Sequence, residues 1–201
     1  MKQSSTKSAL LLFLIPIIAS GYYSRQPASS KEQGSPALSS MTLEQSLEWL
    51  QKTLVGPGKQ RVVFHSSGSG CDVTFTNIGL DRGTLTLGYF EDCKVAGDSW
   101  TQKATLNIPL VDVDPQKLSV VELEPGQPQV PNGAFILHVV MFEGKKTRTH
   151  RTWTQDGKSE TKDFDHNEQE LYFASKDKAY QTVEVLRRMA GLVYAKRNES
   201  K

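Results

Sequence analysis

The feature that most constrains this chain is a region of short segments, between Arg61 and Ser175, in which apolar and polar residues alternate with a period of two. The segments are rich in Val, Ile, Thr, Phe and Tyr, which strands favour. Their connections are too short for crossover helices, so we expect mostly antiparallel pairing, as a meander. The predicted strands are 61–65, 71–78, 84–91, 103–110, 118–123, 134–142, 147–154 and 170–174.

Helical patterns flank this region on both sides. Thr42 and Gln45 have the spacing of a capping box, and leucines recur on one face until Gly56-Pro57-Gly58 ends the element. A second helix is predicted after Ser175, with a continuous apolar face. The predicted fold is α+β: an N-terminal helix, an antiparallel meander of about seven strands forming a bent sheet or small barrel, and a C-terminal helix packed on the sheet. One domain covers residues 41–201.

The chain has two cysteines, and the strand register predicts that they pair. A hairpin centred on Arg82, with a loop from Leu80 to Thr84, fixes three cross-strand pairs. These are Cys71 with Cys93, Val73 with Glu91, and Phe75 with Tyr89. A disulfide at this position closes about 23 residues and stabilises the fold by roughly 3 kcal/mol. A redox-catalytic role is disfavoured, because the chain has no Cys-x-x-Cys motif.

The N-terminus predicts export. Lys2 and Lys7 precede an apolar run, 9–19, which is followed by small residues. This pattern is typical of a signal peptide, here 1–21, and the run is shorter than the roughly 20 residues that span a membrane. An uncleaved signal anchor is the alternative. Residues 22–40 are rich in Ser, Gln and Pro and predict a flexible linker. The expected location is the periplasm, the cell surface or the medium, where a disulfide persists.

Global charge does not indicate a polyanionic partner. The chain has 24 Lys and Arg against 22 Asp and Glu, and loss of Lys2 and Lys7 leaves 22 of each. Nucleic acid and stable membrane insertion after cleavage are therefore not expected.

One local patch is basic, and it contains Lys145, Lys146, Arg148, His150 and Arg151. It is a candidate site for a polyanion or a protein partner at the cell surface. On a strand, Lys146, Arg148 and His150 would share one face, and Arg151 would share the other with Trp153. One alternative is an edge strand whose charges prevent aggregation. Another is neutralisation by the acidic run at 163–170, through hairpin pairing.

No catalytic residue, cofactor or metal site is predicted. The loop at 65–70 lacks the lysine of a phosphate-binding loop and does not fit a nucleophile elbow. Asp112 and Asp114 are expected to form a turn before Pro115, with a calcium or hydrolytic site as the alternative. The acidic run is expected to be a solvated hairpin, with a weak cation site as the alternative. The histidines, which could form a zinc site only across distant strands, are His65, His138, His150 and His166.

The end of the chain resembles pleckstrin-homology-like domains. The residues that carry the resemblance are Leu171-Tyr172-Phe173, Asp177, Ala179, Val183, Leu186 and Leu192. The helix Thr42 to Leu50, with its Thr-Leu-x-x-Ser-Leu-x-Trp-Leu pattern, is similar to one in exported bacterial proteins of unknown function. The first resemblance implies a binding or scaffold module, although a basic phosphoinositide loop is missing, since Ser66 to Gly70 carries no charge.

These observations favour an exported, non-catalytic binding or scaffolding module of unknown ligand. The alternative is a metal-dependent or other hydrolytic enzyme whose site is assembled from distant strands.

Overall fold

The structure is a computed structural model that describes residues 36–63, 70–95, 98–123 and 134–199. The predicted signal peptide, most of the predicted linker, and His65 with the serine- and glycine-rich loop up to Ser69 lie outside the described residues. Among the residues that the structure describes, no helix is both long enough and apolar enough to span a membrane.

The described chain contains three α-helices and nine strands. The helices are α1 (Pro36–Ser40), α2 (Leu43–Leu50), which continues as a π-helical turn (Gln51–Val55), and α3 (Lys176–Glu199), with a 3-10 turn at Leu110–Asp112. The strands are β1 (Gln60–Val63), β2 (Gly70–Asp81), β3 (Thr84–Val95), β4 (Asp98–Pro109), β5 (Ser119–Leu123), β6 (Ala134–Val140), β7 (Thr147–Gln155), β8 (Lys158–His166) and β9 (Glu168–Phe173).

The α+β class and the antiparallel pairing are confirmed, but the strands form two sheets. One sheet has the order β1-β2-β3-β4-β7-β8, and the other has the order β5-β6-β9. The 3-10 turn after β4 directs the chain away from the first sheet, so β7 pairs with β4 in place of β5. A single bridge, Val113 to Met141, connects the start and the end of the segment that contains β5 and β6.

Strand β8 was not predicted, and the acidic run was expected to be a solvated hairpin. In the structure Asp163, Asp165 and His166 lie in β8, whereas Glu168 and Glu170 lie in β9. The polar composition concealed β8, because it is the outer strand of its sheet and most of its side chains are exposed. The turn before it is Asp156-Gly157, where both residues have positive φ, 50° and 71°.

The predicted pairing of β2 with β3 is confirmed, but the loop that joins them is shorter than expected. Arg82 and Gly83 form a two-residue turn, with φ of 46° and 81°, and this turn alone would place Cys71 opposite Lys94. A bulge at Thr76 shifts the register by one residue and brings Cys71 opposite Cys93. The disulfide is present, with a Cα–Cα distance of 4.0 Å.

The helices cover the core as the sequence indicated. The capping box of α2 is formed: Thr42 Oγ1 accepts from the Gln45 amide at 3.2 Å, and Gln45 Oε1 accepts from the Thr42 amide at 2.8 Å. Helix α3 packs on β5, β6 and β9 through buried residues that include Leu186 and Met189. The folded part begins before Met41, because α1 contacts α3 and buries Leu38.

Candidate functional site

The inner face of the six-stranded sheet changes from apolar to polar along its strands. Residues that pair directly across antiparallel strands share a face. Near the β2–β3 turn, Leu85 pairs with Ile108 and Leu87 pairs with Leu106, and all four are buried. Further along the same face, the cross-strand pairs are Tyr89 with Ala104, Ala104 with Arg151, Glu91 with Gln102, and Gln102 with Trp153. The sheet therefore presents polar groups toward one end of a face that is otherwise core.

Strand β9 lies against this face and forms the second wall of a cleft. Thr149 on β7 donates through Oγ1 to Oε1 of Gln169 on β9 at 2.9 Å, and both residues are buried. The rings of Phe75 and Phe173 lie 6.0 Å apart and join the same two layers. The cleft between them has a volume of about 480 Å³, and its lining includes Tyr89, Glu91, Trp100, Gln102, Arg151 and Tyr172. We call it the polar cleft.

Glu91 is the electrostatically unusual group of the polar cleft. Burial raises the pKa of Glu91 to about 7, although the nearby positive charge of Arg151 opposes the shift. Gln102 Nε2 donates to Glu91 Oε2 at 3.1 Å and to the Tyr89 hydroxyl at 3.2 Å. Burial, and then the charge of Glu91, raise the pKa of Tyr89 to about 12. Near neutral pH the Glu91 carboxyl therefore exists in both protonation states, while Tyr89 keeps its proton.

Arg151 supplies the cation of the polar cleft. Its Cζ lies 5.2 Å from the centroid of the Phe164 ring, within the range of a cation–π contact. Its Nε is buried, and it has no hydrogen-bond partner in the described part of the protein. A buried N–H without an acceptor costs free energy, and an oxygen atom of a ligand would remove that cost.

The carboxylates on the β9 wall already have partners within the protein. Tyr172 donates to Glu170 Oε2 at 2.5 Å, and burial followed by this hydrogen bond raises the pKa of Tyr172. Glu168 Oε1 contacts Nδ1 of His138 on β6. This wall therefore adds carboxyl groups and aromatic surface to the polar cleft.

A smaller adjoining cleft shares two of these side chains. Gln102 and Arg151 also line a cavity of about 270 Å³, whose other walls include Trp153 and Phe164. In it, Lys162 and Glu160 form an ion pair, with Nζ and Oε1 separated by 2.5 Å. Arg151 therefore lies at the border of the two cavities, and a ligand too large for the polar cleft would extend past it into the smaller one.

The basic patch predicted from the sequence does not stay together. Arg148 Nη2 and His150 Nδ1 lie 3.2 Å and 2.7 Å from the carboxylate oxygens of Asp163, across the β7–β8 pair. The hydrogen bond from His150 is the main reason that the pKa of Asp163 is lowered. The predicted neutralisation by the acidic run is thus observed. The edge-strand explanation is wrong, since β7 lies between β4 and β8.

The other members of the patch are separated from this network. Lys145 Nζ lies 3.7 Å from Asp112 Oδ1, and Lys146 is exposed in the connection before β7. Arg151 is on the inner face, on the same side as Trp153, as the alternation predicted. The structure therefore assigns Arg151 to the polar cleft and leaves Arg148 and His150 paired outside it.

Several of the acidic and histidine candidates within the described residues contact other groups of the protein. Asp114 accepts from the Gln116 amide at 3.1 Å, which agrees with its predicted role in a turn. His166 stacks on Phe164, with ring centroids 5.8 Å apart, and lines the polar cleft. Within residues 36–63, 70–95, 98–123 and 134–199, no group of three or more His, Cys, Asp or Glu side chains is arranged to hold a metal ion.

The sequence treatment missed Tyr89, Glu91 and Gln102 as site residues, although one signal was present. The predicted register paired Glu91 with Val73, on the same face as the paired cysteines, and the structure shows that Val73 and both cysteines on this face are buried. Nothing in the sequence indicated that β9 would pack beside it. Comparison of the chain with protein-family models, curated proteins and solved structures gives no match. The resemblance to pleckstrin-homology-like domains stays a prediction.

Proposed function

We propose that this chain is an exported binding module whose polar cleft holds a small polar organic ligand. The observation that carries the proposal is the convergence of Glu91, Gln102 and Arg151, from three neighbouring strands, in a cleft of about 480 Å³. Cavities of about 300–1,000 Å³ with a few convergent polar groups are typical of small-molecule sites.

The groups in the polar cleft define the chemistry of the ligand. The buried Nε of Arg151 is a donor without a partner in the described part of the protein and can donate to an acceptor oxygen, as in a carbonyl, carboxylate or hydroxyl group. The ionised form of Glu91 accepts from Gln102 and has lone pairs left for a further donor, as in a hydroxyl or amino group. Trp100 and Tyr172 supply flat apolar surface beside these groups. The expected ligand therefore combines donors and acceptors on a compact skeleton, as sugars, hydroxy acids and amino acids do.

Export is supported by the N-terminal sequence and by the disulfide. Disulfides persist in oxidising compartments and are rare in the cytosol. Cys71 and Cys93 are the only cysteines in the sequence, and both are buried in the core as a bonded pair.

A hydrolytic enzyme is the second candidate, and one observation favours it. A carboxyl with a pKa of about 7 is suited to act as a general acid or base at neutral pH. In that case Glu91 would exchange a proton with the substrate, and Arg151 would stabilise a developing negative charge.

A ligand panel with two cleft variants tests the binding proposal. The oxidised protein is screened by thermal shift against neutral sugars, hydroxy acids, amino acids and polyamines at pH 6 and pH 8. A ligand at about 100 times its Kd stabilises the folded state by roughly 2.7 kcal/mol. We expect this gain to be lost in Arg151→Met, reduced in Glu91→Gln, and kept in Lys103→Met, a matched cation removal at an exposed position of β4.

Two outcomes would contradict the binding proposal. One is a panel in which no compound stabilises the protein. The other is a stabilisation that survives both cleft substitutions. Consumption of a stabilising compound during incubation, abolished by Glu91→Gln, would instead favour the enzyme.

A further inference from the structure

A second concave surface lies at the opposite end of the β2–β3 hairpin from the polar cleft, and it differs in chemistry. Its volume is about 670 Å³. The residues that line it are Leu43, Leu80, Arg82, Gly83, Val111, Val193, Lys196 and Arg197. We call it the basic groove, and we propose that it binds a single-chain anionic amphiphile, with a carboxylate or phosphate head and one acyl chain.

The floor of the basic groove is apolar because four elements each contribute one partly buried apolar side chain. These are Leu43 at the start of α2, Leu80 near the end of β2, Val111 in the 3-10 turn and Val193 in α3. Gly83 brings the turn close to α3, since a Cβ added to it would lie 3.1 Å from Cγ1 of Val193. None of the four apolar lining residues is fully buried, so an acyl chain would remove further apolar surface from water.

The charges around this floor all have one sign. Every charged residue that lines the basic groove is a cation: Arg82 at the turn, and Lys196 and Arg197 in the last turn of α3. The dipole of α3 accounts for cations at its C-terminus without any ligand. It does not account for Arg82, which has a φ of 46°, a conformation that favours Gly or Asn over arginine. An anion bound in the groove would give a long cation at this position a partner.

An amphiphile fits the apolar floor together with the three cations better than a purely apolar or a purely anionic ligand does. Guanidinium and ammonium groups form strong charge-assisted hydrogen bonds with carboxylate and phosphate. A fully polar anion would not cover the apolar floor, whereas an acyl chain would. The volume of the groove lies within the usual range for a small-molecule site.

A membrane surface is a poorer occupant than a single amphiphile. Proteins that dock on membranes insert apolar side chains that project beside a basic face. The large apolar side chains that are exposed in the described chain are Phe90, Val121, Phe142, Trp153, Tyr180 and Tyr194, and none of them lines the basic groove. A concave floor with cations at its rim instead encloses one chain.

The experiment compares two single-chain probes of similar length whose head groups carry opposite charges. Laurate and dodecyltrimethylammonium, each below its critical micelle concentration, are titrated into the full oxidised protein by calorimetry. We expect laurate to bind at one site, and the cationic probe to bind at least about tenfold more weakly, which corresponds to about 1.4 kcal/mol.

Two matched variants test the position of the site. Arg82→Asn/Lys196→Gln/Arg197→Gln removes three cations from the groove and should weaken laurate binding at least about tenfold. Lys94→Gln/Lys103→Gln/Lys158→Gln removes three exposed cations elsewhere and should leave it unchanged. The single variant Arg82→Asn, which suits the turn conformation, gives the same test if the triple variant does not fold.

Three results would overturn the proposal. These are equal affinity for the two probes, full laurate affinity in the folded groove variants, and binding to phosphatidylglycerol vesicles without binding to monomeric laurate. The last result would identify a membrane as the partner. Because the polar cleft contributes no residue to the basic groove, these results do not depend on the function proposed for the cleft.

Discussion

Replacement of Glu91 by Gln should stabilise the folded protein at pH 8 and change its stability little near pH 4. Glutamine has almost the same shape and keeps an acceptor oxygen for the Gln102 amide, but it does not ionise. In the folded protein, burial raises the pKa of Glu91 from 4.5 to about 7. The substitution therefore removes a charge that the fold disfavours.

The sign and size of the effect follow from proton binding. Between pH 4.5 and about 7 the folded state holds a proton that the unfolded state releases, so the free energy of unfolding decreases as pH rises through this window. At about 1.4 kcal/mol per pH unit, the contribution lost by pH 8 is about 3 kcal/mol. Part of the gain in Glu91→Gln is offset by the cost of burying the amide hydrogens. The expected net gain at pH 8 is about 1–3 kcal/mol.

The measurement is urea unfolding of the oxidised protein and of Glu91→Gln, at intervals between pH 4.5 and pH 8. Subtracting the two curves cancels the titration of the other groups, so that the difference reports Glu91. Glu122→Gln is the matched control, because Glu122 is exposed on β5 and its replacement removes the same charge. We expect a difference curve that rises with pH for Glu91→Gln, and the control measures what loss of one exposed negative charge contributes by itself.

Two results would refute the reasoning. A flat difference curve for Glu91→Gln would mean that Glu91 ionises in the fold without cost. A variant that is less stable than the wild type at every pH would mean that the attraction between Glu91 and Arg151 outweighs the desolvation of the carboxyl. In either case Glu91 would be ionised near neutral pH, and the raised pKa that favours the hydrolytic enzyme would lose its support.

Three further predictions concern the scaffold. Replacement of both Cys71 and Cys93 by alanine should lower the free energy of unfolding by about 3 kcal/mol in urea, given their separation of 22 residues, and a loss under about 1 kcal/mol would contradict this. Gly70→Ala should cost about 1–3 kcal/mol, because a Cβ there would lie 2.2 Å from a backbone oxygen of β1, whereas Gly79→Ala, with nothing within 4 Å, should change the Tm little. Thr42→Ala should cost about 1 kcal/mol by loss of the capping box, and Thr42→Ser should restore most of it.

The disulfide was predictable from the sequence, although the route to it was only partly correct. The expected hairpin paired Cys71 with Cys93 through a loop from Leu80 to Thr84 and an uninterrupted register. The structure reaches the same pairing with a two-residue turn and a bulge at Thr76. Gly88 in the facing strand leaves room for the side chains of the bulged segment, since a Cβ there would lie 1.9 Å from a side-chain oxygen of Asn77. The alternation of apolar and polar residues does not show where a strand contains one extra residue. Pairing of the two cysteines fixes only the sum of the turn length and any bulge.

The second sheet and β8 were not predictable from the pattern alone. Alternation indicates that a segment is a strand, but it does not indicate which strand it pairs with. Strands β5 and β6 follow β4 in the chain and yet form a separate sheet with β9, so β7 takes the place beside β4. Strand β8 lacks an apolar face because most of its side chains, on both faces, are exposed to water. Its existence depends on cross-strand contacts such as the pairing of Asp163 with Arg148 and His150.

The polar cleft was half predictable. The register of β2 and β3 already placed Glu91 on the same face as the paired cysteines. A carboxyl on the buried face of a sheet is uncommon unless it has a partner or a function. Its other wall comes from β9, which is distant in the sequence and belongs to the other sheet, and that contact depends on packing between layers. Local sequence does not specify such packing, and this is why no constellation of Glu91, Arg151 and Tyr172 was visible in the chain.

The two proposed sites should act independently, because they lie at opposite ends of β3. Eight residues separate Gly83 from Glu91, and at about 3.3 Å per residue this is about 26 Å along the strand. Substitutions that far apart, with no shared partner, usually add within about 0.5 kcal/mol. The free-energy changes of Arg82→Asn and Glu91→Gln should therefore sum in the double variant at pH 8, as measured by urea unfolding. Saturating laurate should also leave the Glu91→Gln difference curve unchanged. A coupling energy above about 1 kcal/mol would show that β3 transmits a change between the basic groove and the polar cleft, and that the two form a single ligand-responsive unit.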